Sequence, residues 1–353
     1  MYSPFNLKIS PMRRLLLIGF EKDHDETYIG LEPQWFDDPT YGTGLRVIAW
    51  RRDGYVDVYQ QPALPTDTNF GVAAKGLADL LVRPMPNARL RISTHGVDVS
   101  FAFEDKIGRE IKVEITEKSL KPTRPFNILA PVGSSSTNPA SLPVFFLHDF
   151  YFVRRSHTKV KICIDGRFHR PDTFPLPLDW SRIYFMRYSG DTLLIDWCNA
   201  YTGRLSPLRC EGAYCEDSDG VSYELVERDG HKAIRCMSAR YGHHRVSVEF
   251  APPVPDITCL AEQTNVDGRF TITGHESVGE ISGIYRVARS GNDIEVRVNP
   301  SDGWKARPKT AFLKMMFTVA KIFRNWPKTY QWTAKIRLGG SEPQYMDSSW
   351  TRV

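Results

Sequence analysis

The feature that most constrains this chain is a two-residue period. From Val97 the sequence runs Val, Asp, Val, Ser, Phe, Ala, Phe, so Val97, Val99, Phe101 and Phe103 share one face of a strand. Asp105-Lys106-Ile107-Gly108 supplies a turn, and Ile111, Val113 and Ile115 then alternate with Lys112, Glu114 and Thr116. That is a hairpin with one apolar and one wet face. Arg46–Trp50 and Tyr55–Tyr59 form a second, joined through Asp53-Gly54. Further runs follow at Val144–Val153, Val160–Ile164, Ile183–Tyr188, Thr192–Trp197, Ser222–Glu227, His231–Met237, Arg245–Phe250 and Arg269–Thr273. Gly190 suits a turn between Tyr188 and Thr192, and Ser290-Gly291-Asn292 one between Gly283–Arg289 and Asp293–Val298. Short strands at this spacing predict an all-β sandwich or barrel.

Two segments depart from the period. Val72–Leu81 is expected to be a short helix that Gly76 weakens. In Pro308–Trp326, Phe312, Met315, Met316, Val319, Ile322, Phe323 and Trp326 recur at helical spacing, while Lys314, Lys321 and Arg324 lie toward the other side. Pro308 fits a first turn and Pro327 ends the pattern, so an amphipathic helix is predicted over 308–326. Lys118–Leu142, dense in Pro, Gly and Ser, reads as loop. A length of 353 residues admits two domains, expected at 1–200 and 201–353.

No apolar stretch approaches the ~20 residues of a spanning helix, and Leu15–Phe20 is too short for an export signal. Six cysteines form no CxxC pair, so reduced, mostly buried thiols are expected rather than a disulfide set, and a cytoplasmic location with them. Net charge is +5, but residues 301–353 alone carry +7. That segment suits a solvated helix face, an acidic partner or peripheral contact with an anionic membrane.

Chemistry-bearing residues concentrate in Phe145–Trp197, which includes His148, Asp149, Tyr151, Arg154, His169, Asp172, Trp180, Arg182, Tyr184, Arg187 and Trp197. If Val144–Val153 is one regular strand, His148 falls with Val144, Phe146, Phe150 and Phe152, and Asp149 with Phe145, Leu147, Tyr151 and Val153. A polar group among inward aromatics orients a mostly apolar ligand, and only one of His148 and Asp149 then faces it. The plainer alternative is a core histidine bonded to a backbone carbonyl, with Asp149 paired to Arg154 or Arg155.

The order FYFVRR, VKICIDGRFHRPDTFP and LDWSRIYFMRYSGDTLLIDW resembles the tandem lipocalin-like family of carotenoid 1,2-hydratases, AttH-like proteins and Diels–Alderase-type cyclases. Gly166-Arg167-Phe168-His169 stands where the family motif begins, and Trp180-Ser181-Arg182 where its Trp-Arg strand follows. The family's Asp-His-x-Trp-Gly core is replaced by His169-Arg170-Pro171-Asp172. The resemblance implies two packed β-barrels and an apolar ligand. It implies acid–base roles for His169 and Asp172, with Trp180, Arg182 and Tyr184 at the pocket and His148 and Tyr151 from the preceding strand.

Other constellations are sparser. Glu32, Trp35, Asp37, Asp38 and Tyr41 read as a polar-aromatic loop, either a barrel lid or a sugar site with Trp35 stacking on the ring. His243 and His244, as strand neighbours, point apart and make poor joint ligands, and no metal site is expected. GxSxG, GxGxxG and P-loop motifs are missing; only the C-terminal segment offers a basic stripe with aromatics, and its apolar face is too large to be left exposed, so nucleic-acid binding is not expected.

The sequence therefore predicts two consecutive lipocalin-like antiparallel β-barrels or sandwiches with a C-terminal amphipathic helix. The leading functional expectation is a cofactor-free enzyme that hydrates, cyclises or isomerises a hydrophobic isoprenoid- or polyketide-like molecule. His169, Asp172, His148 and Asp149 are its candidate catalytic residues; Tyr151, Trp180, Arg182, Tyr184, Trp197 and Trp35 are its candidate binding residues. A non-catalytic carrier and a carbohydrate-binding or carbohydrate-active protein are the alternatives.

Overall fold

The computed structural model describes residues 1–66, 74–131, 139–174, 182–339 and 344–353. Strands dominate it, with α-helix confined to Ala311–Val319 and Lys321–Asn325 among the described residues. The chain forms two compact units. A sandwich unit comprises Pro11–Ile128 and Phe146–Leu194; a large-sheet unit comprises Met1–Ser10, Leu129–Phe145 and Ile195–Val353.

In the sandwich unit the first sheet carries, in spatial order, Phe126–Ala130, Leu142–Arg154, Ile183–Trp197, Met12–Gly19, Tyr28–Asp38, Gly42–Arg51, Val56–Gln60 and Leu77–Val82. The second runs Arg167–His169, Thr158–Ile164, Glu110–Glu117, Gly96–Glu104 and Arg89–Ser93. The alternating hairpin forms as its pattern requires, with Val99 opposite Ile115 and Phe101 opposite Val113. Its apolar face, Val97, Val99, Phe101, Phe103, Ile111, Val113 and Ile115, meets Leu16, Ile18, Leu31, Leu45, Val47 and Met186 of the first sheet in one buried core. Neither sheet closes on itself, so the architecture is two packed sheets rather than a closed barrel.

The large-sheet unit is an eleven-stranded sheet. Successive antiparallel hairpins lead from Arg209–Glu211 to Tyr345–Arg352, where Tyr201–Arg204 adds the last strand. Its core stacks Phe5 on Phe250 at 5.0 Å and sets Trp197 at 4.7 Å from Phe270. Trp350 Nε1 donates to the Cys198 carbonyl at 2.7 Å.

Several local expectations change. Gly190 makes no turn: Ile183–Trp197 is one strand through it. A Cβ there would sit 3.4 Å from Ile92 Cγ2 and 3.5 Å from Asp149 Cβ, so the glycine serves a close approach. Leu77–Val82 is a strand parallel to Val56–Gln60 instead of helix, while residues 72 and 73 lie outside the described set. Glu32 and Trp35 sit on the strand Tyr28–Asp38 rather than in a loop, and Phe126–Ala130 is a strand within the expected loop. The helix expected over 308–326 is two pieces, parted where Ala320 takes an extended ψ of 104°. Thr310 caps the first, accepting from Leu313 N at 3.2 Å. Cys210 and Cys215, direct partners across a hairpin, form a disulfide, so the reduced set holds only for Cys163, Cys198, Cys236 and Cys259. That pairing removes the premise from which a cytoplasmic location was read. No described helix is long and apolar enough to cross a membrane.

Candidate functional site

The expected catalytic residues divide into two places within the sandwich unit. His169 and Asp172 both hold the short turn Glu21–Asp23. His169 Nδ1 meets the Asp23 carbonyl at 2.7 Å, and its ring lies against Phe20 with centroids 5.4 Å apart. Asp172 accepts from the backbone N–H of Glu21 at 2.9 Å and of Lys22 at 3.1 Å. Both side chains are buried, and the carboxylate caps a turn. His148 and Asp149 lie on Leu142–Arg154, where Asp149 takes a φ of +50°. This left-handed residue breaks the regular alternation: His148 is buried and stacked on Phe146, while Asp149 is exposed and its N–H donates to Asn127 Oδ1 at 3.3 Å.

The expected binding residues spread further. Trp35, Tyr151 and Tyr184 pack against the core between the sheets. Arg182 is exposed, and its carbonyl accepts from Arg155 N at 2.7 Å. Trp180 lies outside the described residues. Trp197 is fully buried in the core of the large-sheet unit, between Phe5 and Phe270. His243 sits in a turn rather than on a strand, and its ring lies 3.9 Å from that of His244, so the two do not point apart.

A different constellation arises on the outer face of the first sheet. On Tyr28–Asp38, Leu31 turns to the core between the sheets, which sends Glu32 and Gln34 the other way. Register places Arg187 opposite Leu17, and the pairs Leu15↔Gln34 and Ile18↔Leu31 bracket Leu17 opposite Glu32. Arg187, Leu17, Glu32 and Ile48 thus form one row across four strands. Aromatic rings flank the Arg187 end. Phe126, Phe150, Phe152, Phe174 and Phe185 form a chain with centroid spacings of 5.2, 5.6, 5.1 and 5.7 Å. The Arg187 guanidinium lies 4.5 Å from the Phe185 ring, a cation–π distance. An aliphatic group of Ile48, Val56, Val58 and Ala74, with Trp50, Leu77 and Leu80 against it, flanks the other end.

Glu32, buried, and Arg187, partly buried, therefore sit on a face that is mostly apolar around them, with a further buried cation, Arg46, opposite Gln34 and bonded to Gln60. Glu32 is 6% exposed. Its Oε1 accepts from Gln34 Nε2 at 2.9 Å. Burial raises its pKa above the ordinary carboxyl value, against the opposing Gln34 amide, Arg187 charge and Trp50 indole. Burial likewise lowers the Arg187 pKa, with Glu32 opposing. No direct ion pair joins them among the described residues, so neither charge is neutralised at contact. Leu17, Phe174, Phe185 and Arg187 remain partly exposed and give this face an approach from solvent. The arrangement offers a carboxyl that readily holds its proton, a cation beside it and ring faces that tolerate positive charge.

Sequence reasoning named Glu32 and Arg187 but did not join them. Their connection runs through non-local pairing of Ile183–Trp197 with Met12–Gly19, which no local pattern announces. The available signal was Glu32-x-Gln34, two polar residues at strand period inside an otherwise apolar segment. No family model, curated protein or solved structure matches the chain.

Proposed function

We propose that the outer face around Glu32 and Arg187 binds a hydrophobic small molecule with one polar or unsaturated centre, and that Glu32 acts there as acid and base without a cofactor. The single observation that supports this most is the buried Glu32 carboxyl, raised in pKa by its burial and coupled to Arg187. A protonated Glu32 can donate to an alkene or carbonyl. The Phe185 and Phe174 rings can stabilise the positive charge that develops, and the Glu32 carboxylate can then take a proton back. Hydration, cyclisation and isomerisation all use this sequence. It is the same class of reaction that the tandem lipocalin-like resemblance implied, carried on different residues. His169 and Asp172 instead hold the turn beneath the sheet edge.

The test is calorimetric titration of the chain with farnesol and geranylgeraniol, followed by product analysis. The reading predicts saturable binding, turnover of a bound isoprenoid, and turnover lost in Glu32→Gln with binding retained. Binding without turnover in either protein favours the carrier reading. No binding of any apolar ligand, or equal turnover in Glu32→Gln, overturns the proposal.

A surface role for the C-terminal helix is a second reading with its own observation. Met315 and Val319 are 37% and 64% exposed one turn apart, beside exposed Lys314. That pairing suits peripheral contact with an anionic membrane, as the charge of the segment implied.

A further inference from the structure

The Cys210–Cys215 disulfide sits at one edge of the eleven-stranded sheet, within the large-sheet unit. Arg209–Glu211 and Tyr214–Glu216 form a hairpin around Gly212, which takes a φ of +62°. Register sets Glu211 opposite Tyr214, Cys210 opposite Cys215 and Arg209 opposite Glu216. Arg209–Glu211 is the outermost strand, and its one neighbour among the described strands is Tyr214–Glu216.

Backbone pairing brings the two cysteines together before any bond forms: their Cα atoms lie 4.0 Å apart across the hairpin. A disulfide stabilises mainly by restricting the unfolded chain, and the gain grows with the length of the loop it closes. These cysteines are five residues apart, so the bond adds little to what the hairpin already fixes. The two sides of the bond differ in access. Every residue from Arg209 to Glu216 is exposed except Cys215, which is 3% exposed. The ladder to Ser222–Glu224 and the Leu225 N–H, which donates to the Ala213 carbonyl at 2.7 Å, hold the Cys215 strand in place. An incoming thiolate therefore meets Cys210, and Cys215 is the leaving sulfur. The buried cysteines outside the pair do not compete. Cys198 and Cys236 are closed to solvent, and burial pushes both thiols up in pKa.

We propose that Cys210 is a site of reversible S-thiolation by a small thiol of the glutathione class, with Cys215 as its resolving partner. The thiolate attacks Cys210 Sγ, the S–S bond breaks, and its electron pair leaves on Cys215 Sγ. A mixed disulfide then stands on Cys210. Cys215 can attack Cys210 Sγ and expel the small thiolate, which restores the pair. A second small thiolate can instead attack the small molecule's own sulfur, which releases the symmetric small-molecule disulfide and a Cys210 thiolate. By that route two thiols are oxidised, the pair is reduced to a dithiol, and the protons of the two thiols end on Cys210 and Cys215. The outermost strand then keeps only its short ladder, which is marginal for a hairpin, and it frays from the sheet edge. The site belongs to the other unit and does not rest on the Glu32 reading.

The full chain is equilibrated with reduced and oxidised glutathione at a series of millimolar ratios, quenched with acid and alkylated, and the peptide holding both cysteines is read by mass spectrometry. The pair is expected to pass from disulfide to dithiol within that series and to return when oxidised glutathione is restored. In Cys215→Ser the mixed disulfide should accumulate on Cys210. In Cys210→Ser the buried Cys215 should take up glutathione about tenfold more slowly. Amide hydrogen exchange of the unsubstituted chain should quicken on reduction over Arg209–Glu211 and stay as it was over Ser222–Arg228. A pair that stays oxidised or stays reduced at every ratio, adducts that form equally fast on the two cysteines, or exchange over Arg209–Glu211 that reduction leaves unmoved, overturns the proposal.

Discussion

The two ends of the sandwich unit solve the same problem in opposite ways. At the Asp105–Gly108 turn, buried acids are fully engaged. Asp57 is completely buried and takes Arg51 at 3.2 Å, Lys106 at 3.1 Å and the Tyr28 hydroxyl at 3.1 Å. Tyr28 and Tyr59 share a 2.8 Å hydrogen bond, and Arg109 bridges Asp105 at 2.9 Å and Asp25 at 3.2 Å. At the far end of the same strands, Glu117 has one cationic partner and one orphaned oxygen. The acids titrate accordingly. Burial alone would raise Asp25, but the Thr27 N–H and Arg109 hold it below its ordinary value; at Glu117 burial outweighs Arg154 and the pKa rises. One end converges several donors on each buried acid, and the other leaves a buried carboxylate oxygen without a hydrogen bond.

The largest effect should come from the engaged end. Asp57→Asn removes the charge that Arg51 and Lys106 converge on, and urea denaturation should show a loss of about 3 kcal/mol. Glu117→Gln should cost less, about 1 kcal/mol, because Arg154 keeps the Lys121 carbonyl at 2.7 Å as a partner. Equal losses in the two variants would erase the contrast.

A smaller effect separates the ends by pH. Asp25 has a lowered folded pKa, so its contribution is present above about 3.8, its unfolded value, and is lost as pH falls through the folded one. Glu117 has a raised folded pKa. Its contribution is present below about 4.5, its unfolded value, and is lost as pH rises through the folded one. Asp25→Asn should therefore flatten the acid limb of the stability curve, and Glu117→Gln the limb above it. Denaturant midpoints measured across pH check both signs.

The smallest effect concerns the other unit's helix. Val319→Asp should leave stability within about 0.5 kcal/mol, as for an exposed position. It should also weaken cosedimentation with phosphatidylserine vesicles; unchanged cosedimentation would remove the membrane reading of this helix.

Much of this fold is written in local pattern. The Gly96–Glu117 hairpin is legible because its alternation is strict and its turn carries Asp105 and Gly108. Tyr28–Asp38 is not, because both of its faces are buried, and burial on both sides erases alternation. Gly190 misleads for a related reason: glycine marks turns, but it also marks places where side chains of neighbouring strands crowd the backbone. Asp149 hides its role because a left-handed residue within a strand leaves no period to read. The Glu32 face needed tertiary pairing, since Arg187 and Glu32 meet only across Leu17. The Asp57 cluster needed three turns brought together, and nothing in spacing alone marks it.

The most direct test of the account is the titration of the Glu32 side-chain carbon, followed by carbon-13 NMR with and without farnesol. The account predicts a midpoint above the ordinary 4.5 for this carboxyl in the free chain, moving higher when the apolar ligand displaces water from the face. A midpoint at or below 4.5 that farnesol leaves unmoved would contradict it.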